Sequence, residues 1–201
     1  MTNYVFSSFN DAPKTCATFS FNTIEEVFVH KYLRSMKTNK AIGLDKISSR
    51  LLKDSVDVIT PCLTYLLNKS LSSSTFPTAW KKGKVVPIFK SGSRCDISNY
   101  RPITILPTLS KILEKAVHLQ LYAYFQENNL LSSEQFGFRP HLSTDVALTQ
   151  LSENILDNLD NCSVTGAVFL DLKKAFDTVD HNLMTKQSHS YGFDINIIIL
   201  V

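Results

Sequence analysis

The residues best suited to chemistry lie near the C-terminal end of the sequence, in the run Asp171-Leu-Lys-Lys-Ala-Phe-Asp177. The preceding run at 165–170, Thr-Gly-Ala-Val-Phe-Leu, predicts a fully buried strand that ends at Asp171. A carboxylate held where a rigid strand ends suits a hard cation such as Mg²⁺, which takes oxygen ligands from one or two carboxylates and from substrate phosphates. From these residues alone, Asp171 is either a metal ligand or the N-cap of a following helix.

A second candidate for chemistry is a concentration of positive charge in the middle of the sequence. The chain has a net charge of +3, from 21 Lys and Arg residues against 18 Asp and Glu residues. Residues 80–115 contain eight of these cations and two of the carboxylates, so this stretch carries +6 and the remainder −3. Such a concentration is a candidate contact for a polyanion. The alternative is a solvated loop and helix face.

The N-terminal part of the sequence predicts helices. Thr23 and Glu26 have the spacing of a capping box ahead of a periodic apolar run. A short helix is predicted at about 47–56, and Thr60-Pro61 has the pattern of an N-cap followed by proline at N1, opening a third helix. The first twenty-odd residues are rich in Ser, Thr, Asn and Phe without clear periodicity, and are interpreted as a poorly ordered lead-in.

The rest of the sequence combines strands with helices. Residues 84–90 and 100–106 are bounded by turn residues and rich in β-branched or aromatic side chains, which predicts two strands. Apolar periodicity predicts a long helix at 108–127 and another opened by Ser143, which leads to the strand at 165–170. The predicted order of helices, two strands, helices and a buried strand is an α+β fold.

Composition excludes several classes of protein. The longest apolar run falls far short of the ~20 residues that a membrane span needs, and no secretory signal is visible, so an intracellular protein without membrane contact is expected, in nucleus or cytoplasm. The four cysteines are scattered, without a Cys-x-x-Cys pair or a histidine at ligand spacing, which argues against a zinc site. A length of 201 residues fits about one domain.

Several segments together resemble one family. Val168-Phe-Leu-Asp-Leu-Lys-Lys-Ala-Phe-Asp-Thr-Val-Asp-His181 resembles the first catalytic motif of reverse transcriptases from non-LTR, LINE-like retrotransposons. Four more segments resemble the same family in the right order: Asn39-Lys-Ala-Ile-Gly-Leu-Asp45, Trp80-Lys-Lys-Gly-Lys-Val-Val-Pro-Ile-Phe-Lys-Ser-Gly92, Asn99-Tyr-Arg-Pro-Ile-Thr-Ile-Leu106 and Glu134-Gln-Phe-Gly-Phe-Arg139. The resemblance covers about residues 24–192 and is closest to jockey-like elements.

The resemblance implies the fingers and part of the palm of a right-hand polymerase fold, truncated after the first catalytic motif. The division that it implies is a lead-in or linker at 1–22, a helical N-terminal extension at 23–79, the fingers at 80–142 and the start of the palm at 143–201.

The resemblance also implies roles for individual residues. Asp171 matches a catalytic aspartate that holds Mg²⁺, and Leu172 lies where the family offers a backbone carbonyl to the metal. Phe176 matches the steric gate that selects dNTP over rNTP, with ordinary core packing as the alternative. Lys90 and Arg101 match the cations that clamp the incoming triphosphate. The residues expected near the RNA template and DNA primer are Lys81, Lys82, Lys84, Gly137 and Arg139.

One part of the family's catalytic centre is missing from this sequence. The remaining aspartates of the family lie in a later motif, usually an aromatic residue followed by Ala-Asp-Asp, and this sequence contains no Asp-Asp pair. Since one carboxylate cannot hold two Mg²⁺ ions productively, we expect that the chain alone does not polymerise DNA. The leading hypothesis is a fragment of a retrotransposon RNA-directed DNA polymerase. The alternatives are a non-catalytic nucleic-acid-binding remnant and a relic without function.

Overall fold

A computed structural model describes residues 15–172 and 175–194. Most of the predicted lead-in, at 1–14, and the apolar segment at 195–201 lie outside the described residues. The elements are α1 (Glu26–Ser35), α2 (Ser49–Asp54), α3 (Val56–Ser72), β1 (Lys84–Phe89), β2 (Tyr100–Ile105), α4 (Thr108–Glu127), α5 (Thr144–Asp160) and α6 (His181–Ser190), with short 3₁₀ helices at Thr78–Lys81 and Ile97–Asn99. None of the helices in the described part of the chain is long and apolar enough to cross a membrane.

The main core forms where α1, α2 and α3 pack together and against α4. Val29 and Leu33 on α1, Leu67 on α3, and Ile112 and Leu113 on α4 are completely buried. Val29 and Leu33 are four residues apart, which puts both side chains on one face of α1. Burying each large apolar side chain contributes about 1.5–3 kcal/mol, so this cluster fixes the helices relative to one another.

Two predicted helix starts are wrong. Helix α1 begins at Glu26 after Glu25, and no side chain caps it, so Thr23 does not form the predicted capping box. Helix α3 begins at Val56, five residues before the predicted first helical residue Pro61, and includes Pro61 within it. The reason is tertiary burial: Val56 is completely buried, and the Thr60 hydroxyl donates to the Val56 carbonyl at 2.6 Å instead of capping a helix.

A charged contact on the surface also joins α1 to α3. The Arg34 guanidinium donates to both carboxylate oxygens of Asp57, at 3.1 and 2.8 Å, and His30 Nε2 lies 3.0 Å from Asp57 Oδ1. The hydrogen bond with His30, followed by the contact with Arg34, holds the pKa of Asp57 below its usual range.

The two predicted strands are confirmed and form one antiparallel hairpin. Lys84 of β1 pairs with Ile105 of β2, and the register continues without a bulge to the pair Phe89 and Tyr100. The long helix that follows has the predicted bounds, Thr108–Glu127. The start of α5 is confirmed as well, because the Ser143 hydroxyl accepts a hydrogen bond from the Val146 N–H.

The prediction of a buried strand at 165–170 is wrong. These residues form no strand, and Val168, Phe169 and Leu170 are more than four-fifths exposed. A buried strand needs neighbouring strands to pair with its N–H and C=O groups. Within the residues that the structure describes, the sheet consists of β1 and β2, which pair with each other. The apolar run at 165–170 therefore has no described strand as a partner.

Residues 15–24, interpreted in part as a poorly ordered lead-in, are instead packed against α4. Phe19 is buried and forms a second small core with Tyr124 of α4 and with Phe193, with ring centroids 5.2 and 5.4 Å from that of Phe19. The Phe19 N–H donates to the Gly192 carbonyl at 3.0 Å, which makes an isolated parallel bridge between 19 and 193. The chain ends described by the structure therefore meet on α4.

Candidate functional site

The hairpin register places three of the predicted site residues on one face. Side chains alternate between the two faces along a strand, so Lys84 and Lys90 point to the same side of β1. Arg101 lies opposite Ile88 and therefore points to that side as well. The Lys90 N–H donates to the Asn99 carbonyl at 2.7 Å, which extends the ladder by one residue. Lys90 and Arg101 are thus diagonal neighbours, which in a sheet lie about 7–8 Å apart.

One face of the hairpin is cationic and the other is aromatic. Lys84, Lys90 and Arg101, on the cationic face, are all exposed. On the opposite face the rings of Phe89 and Tyr100 meet edge to face at 5.5 Å, and the guanidinium carbon of Arg94 lies 5.2 Å from the Phe89 centroid. The face with Lys90 and Arg101 is therefore the one that leaves its cations free to contact an anion.

The loop that closes the hairpin is ordered by its own hydrogen bonds. Gly92 has a φ of +89°, and a Cβ there would lie 2.8 Å from the Asn99 amide nitrogen. That amide donates to the Ser93 carbonyl at 2.9 Å. The Asp96 carboxylate accepts from the Ser98 N–H at 2.8 Å, and this backbone hydrogen bond holds the pKa of Asp96 below its usual range. The loop thus holds both strands in register at the end that bears Lys90.

Two more of the predicted lysines lie at the base of the hairpin. Trp80, in the 3₁₀ helix Thr78–Lys81, packs against the main core. Lys81 and Lys82 follow it directly and are exposed. The Lys81 ammonium lies 5.9 Å from the centroid of the Phe76 ring. The core therefore anchors the backbone next to these lysines while their charges remain accessible.

Asp171 is exposed in an irregular segment, and so is Leu172. The alternative that Asp171 caps the next helix is wrong, because the cap of α6 is Asp180, whose carboxylate accepts from the N–H groups of Asn182 and Leu183. Within residues 15–172 and 175–194, no three His, Cys, Asp or Glu side chains are grouped so as to hold a metal ion. Asp171 is therefore available as a ligand, but the described residues do not complete a metal site around it.

A contact between two aromatic rings places Phe176 next to the segment that contains Gly137 and Arg139. The Phe176 ring lies 5.9 Å from the Phe138 ring in an edge-to-face arrangement. Phe176 is 78% exposed, which excludes core packing as the explanation of this residue. Gly137 has open space around its Cα, while Arg139 donates to the Ser132 carbonyl at 2.8 Å.

Sequence reasoning missed Phe138, which connects the segment of Gly137 and Arg139 to the turn after Asp171. The available signal was the pair of aromatic residues that flank Gly137, at 136 and 138.

The amino-acid sequence that forms this hairpin and the Asp171 segment matches a known family. The family model described as reverse transcriptase (RNA-dependent DNA polymerase) matches residues 81–199. This match covers more than half of the chain and includes both hairpin strands and the Asp171 segment. The chain belongs to the reverse transcriptase family. The reverse transcriptase domain is a right-hand polymerase fold, and the family is generally metal-dependent.

Named relatives of this reverse transcriptase chain come from mobile elements of Drosophila melanogaster. It is 31% identical over 160 residues to the RNA-directed DNA polymerase from mobile element jockey and to the probable RNA-directed DNA polymerase from transposon BS, which covers 79% of this chain and 17% of each relative. It is 32% identical over 144 residues to the probable enzyme from transposon X-element, covering 71% of this chain and 16% of the relative. The predicted resemblance to jockey-like elements is confirmed, and the chain spans about a sixth of the length of these relatives.

Proposed function

We propose that this chain supplies the fingers and the first catalytic carboxylate of a retrotransposon RNA-directed DNA polymerase, and that Lys90 and Arg101 bind the triphosphate of the incoming dNTP. The observation that carries the proposal is the hairpin register, which puts both cations on one exposed face. Proteins that are named as RNA-directed DNA polymerases are similar to most of the chain, which supports the same conclusion.

The chemistry of a triphosphate fits these two side chains. A triphosphate carries several negative charges that must be gathered and oriented before transfer. An arginine can donate two parallel hydrogen bonds to a phosphate, whereas a lysine ammonium acts as a compact point charge. A diagonal pair about 7–8 Å apart lets Lys90 and Arg101 contact different phosphates of the same molecule.

We further propose that the RNA template and DNA primer contact the chain through their phosphates. Lys81, Lys82 and Lys84 would contribute exposed charge at the base of the hairpin, where the net charge of the segment is positive. Binding through lysine and phosphate contacts releases counterions, so it should weaken steeply with salt. Gly137, with nothing within 4 Å of a Cβ position, leaves room for a nucleic-acid backbone next to Arg139.

The proposed role of Phe176 is to exclude a ribose 2′-hydroxyl. Two features of the structure support it: the ring is exposed, and it meets the Phe138 ring edge to face. An exposed aromatic ring can be a steric barrier to one extra oxygen atom on the sugar. The role requires the sugar to lie against this ring when a dNTP occupies the hairpin face.

The fit of Mg²⁺ to this chain is incomplete. The Asp171 carboxylate and the Leu172 carbonyl are oxygen donors of the kind that Mg²⁺ takes, and both residues are exposed. A bound Mg²⁺ would stabilise negative charge on the phosphoryl oxygens. Among the described residues, however, no group of three metal-binding side chains includes Asp171. We therefore propose these two residues as part of a metal site and derive no catalytic step from them.

The test of the proposed function is dTTP binding to the full chain, measured by isothermal titration calorimetry and by amide chemical shifts of the hairpin. Lys90→Ala and Arg101→Ala should each weaken binding about 10-fold, as expected for loss of a hydrogen bond to a charged group. Arg94→Ala is the matched control, because Arg94 lies on the same hairpin but over the opposite face. Its affinity should remain within about twofold of the parent chain.

Two outcomes would overturn the assignment. Equal loss of affinity in Arg94→Ala and Arg101→Ala would mean that dTTP responds to net charge and not to the face of the hairpin. Shift changes confined to residues far from 84–105 would mean that the triphosphate binds elsewhere.

A further inference from the structure

The segment that precedes α1 runs across α3 and α4 without forming a helix or a strand of a sheet. Its side chains alternate over 17–21: Ala17, Phe19 and Phe21 are at least partly buried, whereas Thr18 and Ser20 are exposed. This is the period of a half-buried β-strand, but its contacts are with helices. We call residues 17–24 the strap.

Two amide side chains hold the strap by its backbone. The Asn22 N–H donates to Gln120 Oε1 at 2.8 Å, and Gln120 Nε2 donates back to the Asn22 carbonyl at 3.1 Å. Asn68 on α3 does the same to Ile24, accepting from its N–H at 2.7 Å and donating to its carbonyl at 2.8 Å. Each amide therefore satisfies both backbone groups of one strap residue, as a neighbouring strand would.

The other end of the strap is bound by a tyrosine and by the chain after α6. The Tyr124 hydroxyl lies 2.9 Å from the Ala17 carbonyl and 2.8 Å from the Tyr191 carbonyl, so its proton is shared between the strap and the segment 191–193. The Phe19 N–H donates to the Gly192 carbonyl at 3.0 Å. The Gly192 and Tyr191 carbonyls thus accept from the strap and from the residue that holds it, whereas the N–H groups of 191–193 donate to the Ser188 and His189 carbonyls at the end of α6.

Open clefts flank the strap on both sides. A cavity of about 380 Å³ lies between the strap and α4, and another of about 290 Å³ lies between the strap and the C-terminal part of α3. Thr18, Ser20 and Asn22 line the first cavity with their polar side chains. The strap is held both by its main chain and by the side chains of Ala17, Phe19, Phe21 and Ile24, which pack against the two cores.

We propose that the face formed by α3 and α4 is a groove that binds an extended segment through its backbone, that the strap is its occupant, and that seating of the strap docks the segment 191–193 onto α4. The strap therefore links helices α3 and α4 to residues 191–193, which directly follow α6. This link follows from contacts within the chain and holds whether or not the hairpin binds a nucleotide.

The test is amide hydrogen exchange of the full chain, followed residue by residue. Gln120→Ala removes both hydrogen bonds to Asn22. Loss of two hydrogen bonds should raise exchange of the Asn22 amide, and of the Phe19 amide whose acceptor is the Gly192 carbonyl, by about 10-fold or more. Asn22→Ala is the matched control, since it keeps the backbone groups that Gln120 contacts. It should leave the same exchange rates within about twofold.

Asn68→Ala tests the coupling from the far end of the strap. Asn68 hydrogen-bonds to the backbone of Ile24, at the opposite end of the strap from Phe19, so faster exchange of the Phe19 amide in this variant would show that the strap transmits the change. Amides in the main core, such as those of Val29 and Leu67, should keep their slow exchange and so exclude global unfolding. Equal effects of Asn22→Ala and Gln120→Ala would overturn recognition through the backbone. Faster exchange of the Asn22 or Ile24 amide with unchanged exchange of the Phe19 amide would overturn the coupling.

Discussion

Gly192 lies where the segment after α6 meets the strap, and the structure leaves no room for a side chain there. Its φ is +80°, in the left-handed region that glycine adopts most readily. A Cβ at this residue would overlap the carbonyl oxygen of Ala17 and would lie 2.7 Å from the Tyr124 hydroxyl. Because the Ala17 carbonyl is backbone, the substitution Gly192→Ala forces the strap and the segment 191–193 apart.

The size of the effect follows from three contributions. A left-handed conformation costs an L-residue roughly 1–2 kcal/mol. Relieving the overlap with Ala17 breaks the hydrogen bond from the Phe19 N–H to the Gly192 carbonyl and weakens those of Tyr124, each worth about 1 kcal/mol. Alanine also restricts the unfolded chain, which offsets about 0.4–1 kcal/mol. We expect a net loss of about 3 kcal/mol in the free energy of docking, or about 100-fold in its equilibrium constant.

The assay is the exchange rate of the Phe19 amide, together with chemical unfolding of the whole chain. Gly166→Ala is the matched control, because Gly166 has nothing within 4 Å of a Cβ position and its φ lies outside the left-handed region. The control carries the same change in the unfolded chain, so the difference between the two variants isolates the folded state. Gly192→Ala should accelerate exchange of the Phe19 amide about 100-fold relative to Gly166→Ala. Equal exchange in the two variants would refute the docking geometry.

Three further predictions concern other parts of the chain. Gly43→Ala should lower the melting temperature by the equivalent of about 1–3 kcal/mol of overpacking, because its Cβ would lie 3.0 Å from backbone atoms of Pro107. Gly137→Ala, which has open space around the new Cβ, should leave the melting temperature unchanged. Equal melting temperatures of the two variants would contradict the close approach of Gly43 to Pro107. The lowered pKa of Asp57 contributes stability that is present above the unfolded-state pKa of about 3.9 and is lost as the pH falls through the folded-state pKa. The stability difference between the parent chain and Asp57→Asn should therefore shrink as unfolding is measured below about pH 4, and a constant difference would refute the contact. Purified chain should incorporate no dNTP in a primer-extension assay with Mg²⁺, and template-directed incorporation would show that one carboxylate motif is enough.

Local patterns predicted the elements whose stability depends on residues near in sequence. Helix α4 was predicted with the bounds that the structure shows, because its apolar residues recur at helical spacing over twenty residues. The hairpin strands were also predicted, since β-branched and aromatic runs lie between clear turns. The cap of α5 at Ser143 followed from its local pattern as well.

Local patterns failed where a distant contact outweighed them. Thr60-Pro61 has the pattern of a helix start, yet burial of Val56 against the core extends α3 upstream through both residues. The apolar run at 165–170 has the composition of a strand, but a strand forms only when others pair with it. The alternation of Ala17, Phe19 and Phe21 is visible in the sequence, but the side-chain amides that bind the strap backbone, at Asn22 and Ile24, lie on α4 and α3.

The candidate site divides in the same way. The sequence by itself determined which residues are proposed to carry the chemistry, because Lys90, Arg101, Phe176 and Asp171 match family motifs by type and spacing. Only the tertiary structure decided how they are presented. The hairpin register puts Lys90 and Arg101 on one face and leaves Arg94 over the other. The physical reason is that type and spacing are local properties, whereas a face, a ring contact or a backbone-binding groove exists only after segments distant in sequence have packed together.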